Sequence, residues 1–143
     1  MKRQLIYGAI VPLTIGIILY LLFRPTTIFL FRLTEMVGLK NIIEHLRSEI
    51  IQGKMPDWII YNVPDGLWSF ALTTTMLQHW ENKVDLNNTF WIIFIPLFGI
   101  SLELFQKWHL ISGTFDMADI FAILIGFAFS ISIFTRNIKT SIA

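Results

Sequence analysis

Acidic and amide side chains occur at three places where apolar stretches of this chain begin or end. Asp65 opens one apolar stretch, Glu103 lies inside another with Gln106 three residues later, and Asp116 and Asp119 open a third. Carboxylates in such positions can hold a cation, accept hydrogen bonds from a polar headgroup, or act as a general base. A carboxylate inside hydrocarbon is costly, so Glu103 is expected to face other helices and to find a partner there.

The composition indicates that these residues belong to a membrane protein. The chain of 143 residues is 55% hydrophobic and contains 13 phenylalanines and 5 tryptophans, and its mean hydropathy is +0.64. Soluble domains are only about 45–50% apolar. The net charge of +1 gives no support for a nucleic-acid partner. The chain has no cysteine, which excludes disulfides, thiolate metal sites and cysteine catalysis.

Four stretches are predicted to cross the membrane as helices, each close to the length of about 20 residues that a hydrocarbon core requires. They cover residues 5–23, 64–80, 90–108 and 117–134. The first has the basic start of a signal peptide but no small-residue cleavage site, so it is interpreted as a retained anchor. The second is the shortest, and Asn62 is expected to cap it, with Pro64 tolerated in its first turn.

Residues 27–52 lie between the first two predicted spans and have a different pattern. Apolar residues recur there at helical spacing with charged residues between them, and Lys40, Glu44 and Arg47 sit at neighbour spacings where ion pairs form. This segment has too many charges to cross a membrane, so one amphipathic helix at the interface is predicted, ending at Gly53. Residues 1–143 are thus expected to form a single all-α domain, a bundle of four transmembrane helices plus this amphipathic helix.

Helices that alternate in direction place the start of the second span, the end of the third and the start of the fourth at one membrane face. An acidic pocket is therefore expected there, formed by Asp65, Glu103, Gln106, Asp116 and Asp119. This expectation does not depend on the orientation of the chain in the membrane. The orientation itself stays open, because the basic residues are divided almost evenly between the two faces. His109 falls near the same face, and a histidine beside carboxylates can ligate a metal or shuttle protons. The surrounding Lys107-Trp108-His109 fits an ordinary interfacial helix end better.

Each carboxylate also has an ordinary structural explanation. The first turn of a helix favours an anion, which accounts for Asp65. An N-cap followed by an acid in the first turn accounts for Asp116 and Asp119. An intrahelical pair with Lys107, four residues later, or protonation accounts for Glu103. Capping explains each aspartate separately, but it explains less well why all of them gather at one face.

Two short stretches of the chain resemble a known family. SLELFQKWHLISGTFDMADIFAILIGF resembles the signature of the VanZ-like membrane proteins, in which Glu-x-x-Gln in one transmembrane helix precedes Asp-x-x-Asp at the start of the next, glycine-containing helix. The matching positions here are Glu103, Gln106, Asp116, Asp119 and Gly126. PDGLWSFALT is similar to a helix start in a subset of the family, through Pro64, Asp65, Gly66, Trp68 and Ser69. The chain departs from many relatives, which carry an arginine where this chain has Gly113-Thr114-Phe115.

The resemblance implies a multi-pass protein of the bacterial inner (cytoplasmic) membrane, in a family named for glycopeptide resistance. It supports a ligand-binding role for the five pocket residues, with Trp68 and Ser69 as secondary contributors. His109 is added as a third secondary contributor because it falls near the same face, not because of the resemblance. The family gives only a vague activity, and it assigns no catalytic residue.

Two functions remain open. In the first, the pocket binds a lipid headgroup, a lipid-linked cell-wall precursor or a cation, and a phosphate ligand would need a divalent cation or protonation to approach the carboxylates. In the second, the chain is a non-enzymatic subunit of a larger membrane complex, and the carboxylates hold its helices in register. Catalysis is disfavoured because the nitrogen-rich ligand set of a zinc hydrolase is absent. A proton-coupled transporter ranks last, since four helices without an internal repeat are few for that task.

Overall fold

The computed structural model describes residues 2–26, 29–50, 55–135 and 137–138. Helices account for 79% of the described residues, which confirms the all-α class. Three helices are long and apolar enough to cross a membrane, namely Arg3–Phe23, Leu86–Lys107 and Met117–Phe134. These correspond to the first, third and fourth predicted spans.

The elements follow one another along the chain with short connections. The first span combines α1 (Lys2–Leu5), a π-helical turn (Ile6–Ile10) and α2 (Val11–Phe23). The next four helices are α3 (Phe29–Met36), α4 (Lys40–Glu49), α5 (Asp57–Tyr61) and α6 (Val63–His79). The last two are α7 (Leu86–Lys107) and α8 (Met117–Phe134). Two short strands, β1 (Lys83–Val84) and β2 (Asn137–Ile138), pair in parallel.

Helix α6 occupies the centre of the bundle and packs against α2, α7 and α8. Its buried positions include small and hydroxylated side chains. The Ser69 hydroxyl donates to the Ile123 carbonyl at 2.9 Å, and the hydroxyls of Thr74 and Ser130 lie 2.9 Å apart. Because neighbouring helices satisfy these polar groups, a central helix needs less apolar surface than one that faces lipid. With 17 residues, α6 falls short of the three membrane-length helices, and the fourth crossing stays a prediction.

Helices α6 and α8 run parallel and touch at two glycines. A Cβ atom on Gly126 would collide with the carbonyl oxygen of Gly66, and a Cβ on Gly66 would lie 3.0 Å from the Ala122 carbonyl oxygen. On α7, a Cβ on Gly99 would lie 2.9 Å from the side chain of Trp68. Small residues at such contacts let helix backbones approach closely, which is how membrane helices gain packing energy without a hydrophobic driving force.

The segment expected to form one amphipathic helix contains two, α3 and α4. The break lies at Gly38, whose φ of +74° belongs to the left-handed region. The apolar periodicity continues across this glycine, which is why the pattern predicted one helix, and that prediction is wrong. The predicted ends of the segment and the expected stop at Gly53 lie outside the described residues.

The charged residues of this segment have partners other than the predicted ion pairs among Lys40, Glu44 and Arg47. Lys40 Nζ lies 2.9 Å from Glu35 Oε1 rather than beside Glu44. Arg47 Nη1 donates to the carbonyl oxygens of Leu21 and Arg24 at 2.7 and 2.9 Å. Arg47 therefore supplies donors to the C-terminal end of α2, where backbone acceptors have no intrahelical partner. This contact fastens α4 to the end of the first span.

Candidate functional site

The bundle contains a polar cavity of about 440 Å³ at the end where α2 finishes and α6 and α8 begin. From the predicted pocket, Gln106, Asp116 and Asp119 lie in its wall. Arg24, Tyr61 and Asn62, which were not assigned to the pocket, lie in the wall as well. We call this region the cavity end of the bundle.

Asp119 is the most enclosed carboxylate of the cavity wall, with 8% of its surface exposed. Asn62 Nδ2 donates to Asp119 Oδ1 at 2.6 Å and lies 3.4 Å from Asp116 Oδ2. The Asn62 side chain makes no capping bond to α6, so its predicted role is wrong, and it joins the start of α6 to the start of α8 instead. Asp116 does cap α8, since its Oδ1 accepts from the Ala118 N–H at 2.8 Å.

Glu103 does not line the cavity itself but contacts two residues that do, and it is 7% exposed. Its carboxylate accepts hydrogen bonds from Gln106 Nε2 and from the Asp116 backbone N–H, each at 3.3 Å. Lys107 lies instead over the ring of Phe115, with its Nζ 5.1 Å from the ring centroid. The alternative of a Glu103–Lys107 ion pair is therefore wrong. Glu103 connects the end of α7 to the start of α8.

Asp65 also lies behind the wall, between the first span and α8. Its Oδ1 accepts from the Tyr20 hydroxyl at 3.3 Å and from Trp68 Nε1 at 3.0 Å. The Asp65 carboxyl group lies close to that of Asp119. Two neighbouring carboxylates repel each other unless a proton or a cation reduces their charge. The start of α6, the end of α7 and the start of α8 thus bring together the acidic groups that the alternation of helices predicted.

Arg24 is the cationic residue of this end that the sequence reasoning missed. Its Nη2 donates to the Tyr61 carbonyl oxygen at 3.1 Å, and the guanidinium lies 5.0 and 4.7 Å from the ring centroids of Tyr20 and Tyr61. Its Nε is buried and has no hydrogen-bond partner among the described residues. A signal was available, because Arg24 directly follows the first span and so shares a membrane face with the start of the second.

The guanidinium of Arg24 forms no ion pair with the acidic residues beside it. Within the described part of the chain, the ion pairs are Lys40–Glu35 and Lys83–Glu81, both outside the cavity. The cavity wall therefore offers carboxylate acceptors and a guanidinium donor side by side. Such a wall can bind a ligand that carries both a positive and a negative group.

The three secondary residues have separate places in the structure. Trp68 fixes Asp65 through its indole N–H. Ser69 is fully buried and holds α6 against α8 rather than facing the cavity. His109 is exposed in the turn after α7, with a φ of +56°. Among the described residues, no group of three histidine, aspartate or glutamate side chains is arranged to hold a metal ion.

Comparison of the chain with protein-family models, with curated proteins and with solved structures gave no match.

Proposed function

We propose that this chain is a VanZ-like protein of the bacterial inner membrane whose cavity end binds a polar or charged ligand. The candidate ligands are a lipid headgroup, a lipid-linked cell-wall precursor and a cation. The observation that carries the proposal is the cavity of about 440 Å³, which is lined by Asp116 and Asp119 together with Arg24, whose guanidinium forms no ion pair within the described part of the chain. A guanidinium that is not paired with a carboxylate can donate hydrogen bonds to an anionic group of a ligand.

The proposal includes α6 as a fourth transmembrane helix. At about 1.5 Å per residue its 17 residues reach about 25 Å, slightly less than a hydrocarbon core of about 30 Å. The aromatic residues Trp58 and Tyr61 precede it, as is typical of the membrane interface. Its polar cavity end would then lie at the depth of the headgroups, and α3 and α4 would lie along the same interface.

The second candidate function is that of a non-enzymatic subunit of a larger membrane complex. It is favoured by the bonds from Asn62 to Asp119 and from the Asp116 N–H to Glu103, because these connect helices directly. Under this proposal, substitution of the carboxylates weakens the assembly of the bundle. Under ligand binding, an isosteric substitution leaves the bundle folded and removes the ligand.

Native mass spectrometry of the full chain, extracted in mild detergent, separates the two functions. We expect the wild type to retain a ligand of defined mass in a 1:1 ratio. Asp119→Asn should fold normally but lose this ligand, because the amide removes a negative charge while keeping the shape. The control is Asp85→Asn at the other end of the bundle, where asparagine is also an accepted helix cap, and this variant should retain the ligand.

Equal ligand retention by wild type and Asp119→Asn would overturn the binding proposal. A second protein bound at fixed stoichiometry, with no small ligand lost, would favour the subunit function. Reduced folding of both Asp119→Asn and Glu103→Gln, without any change in bound ligand, would assign the carboxylates to the packing of the helices.

A further inference from the structure

A second cavity, an apolar groove of about 690 Å³, runs along the outside of the bundle beside α6 and α8. Its walls are built from Leu67, Phe70, Phe121, Ile125 and Phe129. The two glycines at the contact of these helices, Gly66 and Gly126, also line it. From Ala118 to Ile133 it follows about 22 Å of α8 at the helical rise per residue.

The groove and the polar cavity meet at two residues. Trp58 and Asn62 line both of them. Trp58 is 61% exposed, and Asn62 is the residue whose amide donates to Asp119. The polar cavity therefore lies beside the apolar groove, which is longer than one leaflet of hydrocarbon, about 15 Å or half of the full core. A soluble ion or sugar would use the cavity alone, whereas an amphiphile would use both.

The charges of the cavity select among amphiphiles. Among the described residues, three carboxylates line it, Asp57, Asp116 and Asp119, together with the guanidinium of Arg24. Like charges repel an anionic headgroup from such a wall. A primary ammonium carries three N–H donors that suit the carboxylates, and a phosphate oxygen suits the Arg24 guanidinium, which forms no ion pair among the described residues.

From this geometry we infer that the ligand is a phospholipid with a primary-ammonium headgroup, held with its ammonium and phosphate in the cavity and one acyl chain in the groove. The inference rests on the proposed function, since it names the ligand of the same cavity. The lipid thus lies partly within the bundle, its chain covering the close contact between α6 and α8.

The test measures lipid binding to the delipidated full chain in detergent by native mass spectrometry. The probes are phosphatidylethanolamine, phosphatidylcholine and phosphatidylglycerol with identical acyl chains, and glycerophosphoethanolamine, which has the headgroup without chains. We expect phosphatidylethanolamine to bind roughly tenfold or more tightly than the other two lipids, because only it offers charged N–H donors to the carboxylates. Glycerophosphoethanolamine should compete weakly.

Two variants test the two halves of the site. Ala118→Trp places an indole in the groove beside the cavity, and Ala128→Trp is its matched control on an exposed part of α8 outside the groove lining. We expect Ala118→Trp and Asp119→Asn each to lower the affinity for phosphatidylethanolamine about tenfold, as loss of one charged hydrogen bond or of the chain contacts would. Ala128→Trp should bind like the wild type.

The possible failures are distinguishable. If glycerophosphoethanolamine competes as well as the intact lipid and Ala118→Trp binds normally, the groove is not a chain site, while the proposed cavity function stands. If phosphatidylglycerol binds as tightly as phosphatidylethanolamine, the headgroup assignment is overturned. If Ala118→Trp alone lowers binding and Asp119→Asn does not, both the headgroup assignment and the proposed cavity function fail. A dimer that Ala118→Trp dissociates would assign the groove to a second copy of this chain.

Discussion

Both ends of the bundle carry acidic residues, but they use them differently. At the end where α6 meets α7, which we call the loop end, Asp85 accepts from the backbone N–H groups of Asn87 and Asn88 at 2.9 and 3.1 Å. The Asn88 side chain accepts from the Asp85 N–H at 3.0 Å, which completes a capping box. Glu81 pairs with Lys83 at 2.9 Å. Each acid of the loop end is thus satisfied by residues within a few positions.

The acids of the cavity end also have local partners, since Trp68 donates to Asp65, Gln106 to Glu103 and the Ala118 N–H to Asp116. Unlike the acids of the loop end, they make further contacts to residues far away in the sequence. Tyr20 and Asp65 are 45 residues apart, Asn62 and Asp119 are 57 apart, and Glu103 meets the Asp116 N–H across a 13-residue interval. Among the residues that the structure describes, none of these carboxylates forms an ion pair with the Arg24 guanidinium. The loop end is therefore a helix connection whose acids are satisfied locally, whereas at the cavity end the positive charge of Arg24 is not balanced by an ion pair in the described part of the chain.

The largest expected effect comes from the contact between α6 and α8 that supports both ends. Gly126→Ala places a methyl group against the Gly66 carbonyl oxygen, so the helices must separate. Overpacking of this kind costs about 1–3 kcal/mol. We expect a lower thermal midpoint in detergent together with weaker lipid binding, since the same glycines line the groove.

The matched variant for this prediction is Ala128→Val, which adds apolar volume on an exposed position of the same helix. It should leave the midpoint nearly unchanged. A thermal midpoint for Gly126→Ala equal to that of the wild type would contradict this prediction. It would show that α6 and α8 can move apart at little cost, so that the glycine contact does not fix their spacing.

The parts of the fold that composition or local pattern determines were predictable from the sequence. Three helices of membrane length followed from apolar runs, and the capping by Asp116 followed from its place before a helix. The gathering of Asp65, Glu103 and Asp119 needed only the rule that successive spans alternate in direction. None of these inferences required knowledge of a specific tertiary contact.

The missed features all depend on which side chains meet in three dimensions. Spacing allows Glu103 to pair with Lys107, but the placement of Phe115 draws Lys107 away and leaves Glu103 for the Asp116 N–H. Asn62 could cap its own helix, yet Asp119 lies within its reach. These alternatives have similar local energies, so tertiary position decides between them.

A smaller effect is expected at the loop end, and it should sharpen the contrast with the cavity end. Asp85→Ala removes the acceptor for the first N–H groups of α7, and loss of such a cap costs about 1 kcal/mol. We expect a lower thermal midpoint and unchanged affinity for phosphatidylethanolamine. The thermal midpoint of Asp85→Asn should lie much closer to that of the wild type than the midpoint of Asp85→Ala does, because asparagine is also an accepted helix cap. A loss of lipid affinity in Asp85→Ala, at equal folded fraction, would contradict the separation of the two ends.

The smallest effect is expected for the surface pair of the same loop. The hydrogen bond and the charge of the Lys83 ammonium hold the pKa of Glu81 below its ordinary value. The stability that this pair adds is therefore present above the unfolded-state pKa of Glu81 and is lost as the pH falls through the lower folded-state pKa. Both side chains are exposed, 68% for Lys83 and 74% for Glu81, so solvent and salt screen the pair strongly.

Thermal midpoints of wild type and Glu81→Gln, measured across the acidic range in one detergent, test this expectation. The small advantage of the wild type should shrink as the pH falls and as salt is added, because both remove the charge interaction. Glutamine keeps the side-chain shape at a residue whose φ is +52°, so backbone preference is the same in both proteins. An advantage that persists at low pH and high salt would mean that Glu81 stabilises the loop without its charge, unlike the carboxylates at the cavity end.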